Sequence, residues 1–215
     1  MSSFTNEDGA VIVNRMIRAI RENKQYLSDI DGAIGDGDHG INMNKGFTLA
    51  GDALEKEPGD LSHGLTTLGK TLIMKIGGAM GPLYGKIFKT MGKTFSGHPE
   101  IDAELFREAL NEIRSALEVL SPARVGDKTL VDALYPAIDA YNHVLEENGD
   151  FNNALEAMKS AAEAGRDRTE GMVAQIGRSS RLGERSRGVI DAGAASCALL
   201  LGVMADSITE LLNKT

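Results

Sequence analysis

Apolar residues recur every three or four positions along most of this chain, and that spacing constrains it to helices. Val13, Ile17, Ile20 and Leu27 step by four, three and seven, and Leu105, Ala109, Ile113, Ala116, Leu117 and Leu120 mark one face of a second helix. Leu130, Leu134, Ile138, Tyr141 and Leu145 mark another, with a kink expected at Pro136, which lacks a backbone donor. Leu155, Met158 and Ala162 open a further helix, and Ala195, Leu199, Val203 and Leu211 run along a last one of about 20 residues. Strand signals are weak, with aromatics at 5% and no sustained apolar–polar alternation. Gly-, Asp- and Pro-rich breaks fall at 31–40, 57–60, 77–82, 97–101, 121–127, 147–150 and 187–193. The expectation is an all-α bundle of seven or eight helices, in a single domain spanning 1–215.

Charge narrows the ligand. Lys plus Arg number 23 and Asp plus Glu 31, a formal net charge of −8, which disfavours nucleic acid. A phosphorylated ligand therefore needs local cations or a metal. The single Cys197 excludes an internal disulfide framework and a multi-cysteine zinc site, and its small apolar neighbours read as core. The first ten residues lack a basic segment followed by an apolar run, so no signal peptide is expected. The most apolar stretch, 192–205, is too short for a bilayer of roughly 30 Å. No membrane partner is expected, and a soluble, cytoplasmic protein follows as the default.

Gly64 to Thr71, GLTTLGKT, fits the phosphate-loop pattern G-x-x-x-x-G-K-[ST]. A working phosphate loop follows a buried strand, and the preceding GDALEKEPGDLSH is polar and contains Pro58. Leu61, Leu65, Leu68, Leu72 and Ile76 instead keep helical spacing through the motif, which puts Lys70 on a solvent face.

DGAIGDGDHGINMN, Asp31 to Asn44, is more informative. It sets Asp31, Asp36 and Asp38 within eight residues, with Gly32, Gly35, Gly37 and Gly40 to bend the backbone between them. Like charges this crowded call for a cation, although a solvated polar loop is the alternative. Oxygen-only donors suit Mg²⁺ or Ca²⁺. An EF-hand is excluded, because its closing Glu falls on Asn42 or Phe47. Three further stretches stand out. KIGGAMGPLYG offers free backbone N–H groups at Gly77, Gly78 and Gly81, or an ordinary turn. In VGDKTLVDAL, Asp127 or Thr129 reads as a helix N-cap. GRSSRLGERSRG carries Arg178, Arg181, Arg185 and Arg187, either a solvated face or a guanidinium partner for phosphate. His63, His98 and His143 lie in polar surroundings without an assigned role.

In order, DxxxxDGDHGxNMNxGF, GGAMGPLYG, GDKTLVDALYPA and GRSSRLGERSRGVIDAGA resemble the nucleotide-binding L subunit of the dihydroxyacetone kinases, phosphotransferase-system dependent type. The resemblance runs from about Asp31 to Gly193. It implies an antiparallel eight-helix barrel with the nucleotide in loops at one end. Two Mg²⁺ ions on Asp31, Asp36 and Asp38 are implied, with those aspartates and Arg178 in the catalytic role. ADP or ATP is then contacted by His39, Gly40, Ile41 and Asn42, by Gly78, Ala79 and Met80, by Ser121, Thr129 and Leu130, by Arg178, and by Asp191, Ala192 and Gly193.

Further implied are a partner substrate-binding subunit carrying the ketose, a phosphohistidine protein that rephosphorylates ADP in place, and a homodimer. An ATP-exchanging ketose kinase subunit, for example for erythrulose, and a P-loop ATPase on Gly64 to Thr71 are the alternatives. Met80 stands where the family commonly has Ser, Ala192 where it has Pro, and Arg181 where an aromatic is common.

Overall fold

The computed structural model describes residues 2–214. Nine α-helices account for most of them: α1 (Ala10–Glu22), α2 (Lys24–Ile34), α3 (His39–Lys56), α4 (Leu61–Lys75), α5 (Met80–Phe95), α6 (Ala103–Leu120), α7 (Val131–Asn148), α8 (Phe151–Arg168) and α9 (Ala192–Leu212). Short 3₁₀ segments follow α8, at Thr169–Gly171 and Ser179–Ser186. The count exceeds the expected eight because the first periodic run, Val13 to Leu27, is divided at Asn23, whose N–H and side-chain amide both turn back onto the Ala19 carbonyl. α7 runs unbroken through Pro136.

The helices pack as a ring. From α3 to α9 each packs on the next, and α1 closes the circle by packing against both α9 and α3. The predicted stripes supply the interior: Val13, Ile20, Leu27, Leu65, Leu68, Ile113, Ile138, Tyr141 and Met158 are all at 1% exposure or less. Burial of this kind is worth about 1.5–3 kcal/mol for each large side chain. Leu120 departs from its stripe. It is the last residue of α6 and is exposed.

α9 has 21 residues and, by length and composition, would reach across a membrane, which a sequence window of 192–205 understates. Most of its apolar stretch is buried inside the ring, and its neighbours α1, α7 and α8 cover it. Cys197 lies buried on it, and burial pushes the thiol up to about 12.

Two three-residue strands, β1 (Ser3–Thr5) and β2 (Glu100–Asp102), pair antiparallel where α5 turns into α6. Beside them the buried Asn6 joins Ser62, the Phe95 carbonyl and the His98 carbonyl, which ties the starts of α1 and α4 to that turn. This closes one end of the ring, and the other end carries the cleft.

Candidate functional site

From α2 onward consecutive helices run in opposite directions, so α2, α4, α6 and α8 end where α3, α5, α7 and α9 begin. The four junctions, 35–38, 76–79, 121–130 and 169–191, surround one cleft of about 510 Å³. Four helix N-termini therefore converge on it. Each carries roughly half a positive charge at its start, which favours an anion even on an acidic protein.

The acidic loop forms one wall. Asp31 sits in the last turn of α2, while Asp36 and Asp38 lie in the junction to α3. One carboxylate oxygen from each lies within 4.8 Å of the others. Asp31 Oδ2 accepts from the His39 N–H at 3.2 Å. Gly35 explains the tight approach, because a Cβ there would stand 2.7 Å from Asp31 Oδ1. Gly37, at φ 74°, takes the left-handed conformation that the turn requires. Across the cleft, the Arg178 guanidinium pairs with Asp36 and lies 3.6 Å from Asp38. The donor set is all oxygen, partly exposed and countered by one arginine, which fits a hard divalent cation.

His39 opens α3 and Asn42 lies one turn on, and both line the cleft. His39 Nε2 meets Ser196 Oγ at 2.9 Å, and Ser196 in turn meets Tyr84 Oη at 2.6 Å and donates to the Gly193 carbonyl. Burial lowers the His39 pKa to about 4, so the imidazole is neutral at physiological pH. The neighbours of His39 face elsewhere. Gly40 is packed against α2, where a Cβ would run into the Lys24 carbonyl, and Ile41 points to solvent at 52% exposure. Neither lines the cleft.

The glycine turn leads into α5. Gly78 adopts φ 69° and nothing stands near its missing Cβ, so the backbone is open to the cleft. Ala79 is the N-cap and Met80 the first helical residue. Gly81 is required for packing, because a Cβ would strike the Ile76 carbonyl. Leu83, Tyr84, Leu117, Leu130 and Ile176 give the rest of the cleft an apolar lining.

At the third junction, Ser121 caps the end of α6 and Thr129 precedes α7. Leu130, rather than Asp127 or Thr129, is the N-cap of α7, and Thr129 Oγ1 accepts from Val131 N at 3.3 Å. Asp127 binds the Arg124 N–H, and Asp132, inside the first turn of α7, accepts from Gly126 N at 2.6 Å and from Thr129 N at 2.7 Å. Lys128 is the only non-glycine residue at positive φ among the described residues, and it is 1% exposed.

The last junction ends at Asp191, the N-cap of α9, whose carboxylate accepts from Ala194 N at 2.8 Å. Burial raises its pKa to about 7, helped by the nearby Asp132 and Asp31 carboxylates. Ala192 and Gly193 line the cleft beside it.

Of the positions assigned through the family resemblance, all but Gly40 and Ile41 line this one cleft; Gly81, Asp127, Arg181, Arg185 and Arg187 do not. Sequence reading missed Tyr84, Ser196 and Lys128. Lys128 and Tyr84 lay in quoted motifs without being singled out, whereas Ser196 carries no local signal. The phosphate-loop pattern, Gly64 to Thr71, lies wholly inside α4. Its interior N–H groups serve the helix, Leu65 and Leu68 are buried, and Lys70 is exposed and lines no part of the cleft.

An antiparallel helical barrel with anion-attracting helix ends and an acidic oxygen cluster has the features of a site for a divalent cation and an anion. The DAK2 domain pattern matches residues 33–206, and the chain belongs to that family, among the dihydroxyacetone kinase L subunits. It is 41% identical over 186 residues to the ADP-binding subunit DhaL of PEP-dependent dihydroxyacetone kinase 1 from Listeria innocua, covering 86% of this chain and 88% of that one. It is 31% identical to a D-erythrulose kinase of Mycolicibacterium smegmatis, covering 97% of this chain but 38% of the relative. The fold matches the crystal structure of the C. freundii dihydroxyacetone kinase in complex with AMP-PNP and Mg²⁺, with a TM-score of 0.65 at 22% identity. The chain spans 33% of the length of that kinase.

Proposed function

We propose that this chain, as one unit over residues 1–215, holds ADP or ATP with two Mg²⁺ and passes the γ-phosphoryl group to dihydroxyacetone, or a related short ketose, bound on a partner subunit. The observation that carries this reading is the junction cleft itself: three carboxylates within 4.8 Å of one another, faced by Arg178 and ringed by helix N-termini. Asp31, Asp36 and Asp38 would hold the ions, which when bound neutralise charge on the phosphate oxygens. Phosphoryl transfer needs mainly alignment and charge stabilisation, and the remaining groups suit that task. The backbone at Gly78, Ala79 and Met80 takes phosphate oxygens through N–H groups, since Met80 has no hydroxyl to offer. Arg178 adds a positive charge at the same end. The apolar side, with Leu130 beside Ser121 and Thr129, takes the base.

His39, neutral and held by Ser196, acts as a polar wall of the cleft. Nothing in the cleft resembles a ketose site, which agrees with a sugar carried by another chain. A phosphohistidine protein that rephosphorylates ADP in place, self-association as a homodimer and a cytoplasmic setting complete the reading.

Native mass spectrometry of the purified chain tests it. ADP with two Mg²⁺ retained through purification supports the cofactor reading. A protein that arrives empty and takes up neither nucleotide with Mg²⁺ overturns it. A second reading, an ATP-exchanging ketose kinase subunit, is favoured by the similarity to the erythrulose kinase. Weak retention with ready ATP exchange distinguishes it.

A further inference from the structure

Lys128 is the buried lysine among the described residues. Its Nζ lies within hydrogen-bond distance of four backbone carbonyls that share its three N–H donors: Thr169 at 2.8 Å, Met172 at 3.2 Å, Ser186 at 2.7 Å and Val189 at 2.6 Å. Two of these lie on the outgoing arm of the 169–191 junction and two on the returning arm. The junction's tip carries Arg178 onto the acidic cluster.

Other bonds also join the arms: the Arg187 guanidinium donates to the Gly171 carbonyl, and Ala174 N donates to Ser186 Oγ at 2.9 Å. Gly188 N donates to the Glu170 carbonyl, and Asp191 N donates to Thr169 Oγ1. The segment is long and built from 3₁₀ turns, with Gly177 and Gly183 at positive φ, so it lacks the regular ladder of a helix or sheet. An unpaired buried ammonium is costly, and so are orphaned carbonyls; here each satisfies the other. The strained φ of 64° at Lys128 is held in place by the same cage, and Asp132 braces the residues on either side of it through Gly126 N and Thr129 N.

We propose that Lys128 is a positioning residue for the nucleotide site. It clamps both arms of the 169–191 junction so that Arg178 stays over the Asp36 and Asp38 carboxylates, and thereby sets how slowly the nucleotide leaves. The inference rests on the proposed nucleotide reading for its functional half only. A point charge with three donors suits carbonyls converging from several directions, whereas a planar guanidinium does not.

The test uses Lys128→Met and Lys128→Arg in the full chain, with two readouts. The first is trypsin cleavage after Arg178, Arg181, Arg185 and Arg187, followed by mass spectrometry without nucleotide. The second is the dissociation rate of a fluorescent ADP analogue with Mg²⁺, in the native and Arg178→Ala backgrounds.

Loss of the clamp is expected to speed cleavage in the junction roughly tenfold, while helical circular dichroism is retained. It is expected to speed dissociation roughly tenfold with Arg178 present and less than about twofold without it, because residues acting as one unit are non-additive. Partial restoration of slow cleavage in Lys128→Met by added ammonium ion would add support.

Unchanged cleavage and dissociation in a folded variant overturn the proposal, as does equal acceleration in both Arg178 backgrounds. If neither variant folds, Lys128 is a determinant of the fold and the positioning role is refuted. If the native chain binds no analogue, the nucleotide reading falls, and the proteolysis still decides whether Lys128 fixes the junction.

Discussion

His39 Nε2 lies 2.9 Å from Ser196 Oγ, although 157 residues separate the two in sequence. The contact ties the first residue of α3 to the first turns of α9 across the floor of the cleft. Ser196 also reaches Tyr84 Oη on α5, so three of the four helix N-termini share one hydroxyl. Replacing Ser196 with Ala leaves the imidazole without its buried partner and the phenol with only the Gly193 carbonyl, 3.2 Å away. The expected loss is about 1–3 kcal/mol of unfolding free energy in urea titration. Tyr84→Phe should cost less, about 1 kcal/mol, because Ser196 keeps its bond to the Gly193 carbonyl. Equal losses would show that the phenol, not the serine, holds the network.

His39 and Asp191 pull stability in opposite directions with pH. The folded pKa of His39, about 4, lies below the ordinary 6.5, so between those values the unfolded chain binds more protons and stability falls as pH drops. The folded pKa of Asp191, about 7, lies above the ordinary 3.8, so the folded chain binds more protons and stability falls as pH rises through that window. In the metal-free protein these two contributions largely cancel between pH 4 and 6.5. Asp191→Asn, which keeps an N-cap acceptor, should expose the histidine alone. Stability should then rise with pH across that range by up to about 3 kcal/mol, read from denaturation midpoints. A flat profile in the variant would mean that His39 is not held neutral.

Gly40 is required by space, not by contact with the cleft. A methyl there meets the Lys24 carbonyl and Ser28, which belong to the packed face of α2. Gly40→Ala should lower stability by roughly 3 kcal/mol, with nucleotide affinity falling only as far as the fold loosens. Thermal melts with and without nucleotide separate the two effects. A variant as stable as the parent would show that α2 and α3 have room to part.

Asp36→Asn and Lys70→Ala divide the two phosphate-site readings. The pair of Arg178 with Asp36 is substantially exposed on both sides, so losing it should change stability by less than about 1 kcal/mol. Binding of ADP with Mg²⁺ should nonetheless weaken at least about tenfold by calorimetry, since a cation loses one carboxylate ligand. Lys70→Ala, on the solvent face of α4, should leave binding within about twofold. The reverse pattern would return the nucleotide to Gly64 to Thr71.

The helical stripes, the breaks between them and the crowding of Asp31, Asp36 and Asp38 were all legible in the sequence, because each depends on residues a few positions apart. Local periodicity also disqualified the phosphate-loop pattern at Lys70 before any fold was known, since Leu65 and Leu68 had to face a core. It did not show that a helix ends at Asn23, or that Leu120 stays in water, because those depend on a hydrogen bond to Ala19 and on which faces tertiary packing covers.

What only the tertiary structure decided is which of the marked residues meet. Antiparallel packing brings four distant junctions to one end of the ring, sends Gly40 and Ile41 away from the cleft and closes the Lys128 ammonium among carbonyls 41 to 61 residues further along the chain. The physical reason is range. Propensity and periodicity act through neighbours in sequence, whereas the site is made by helix ends whose proximity exists only after the apolar faces have packed.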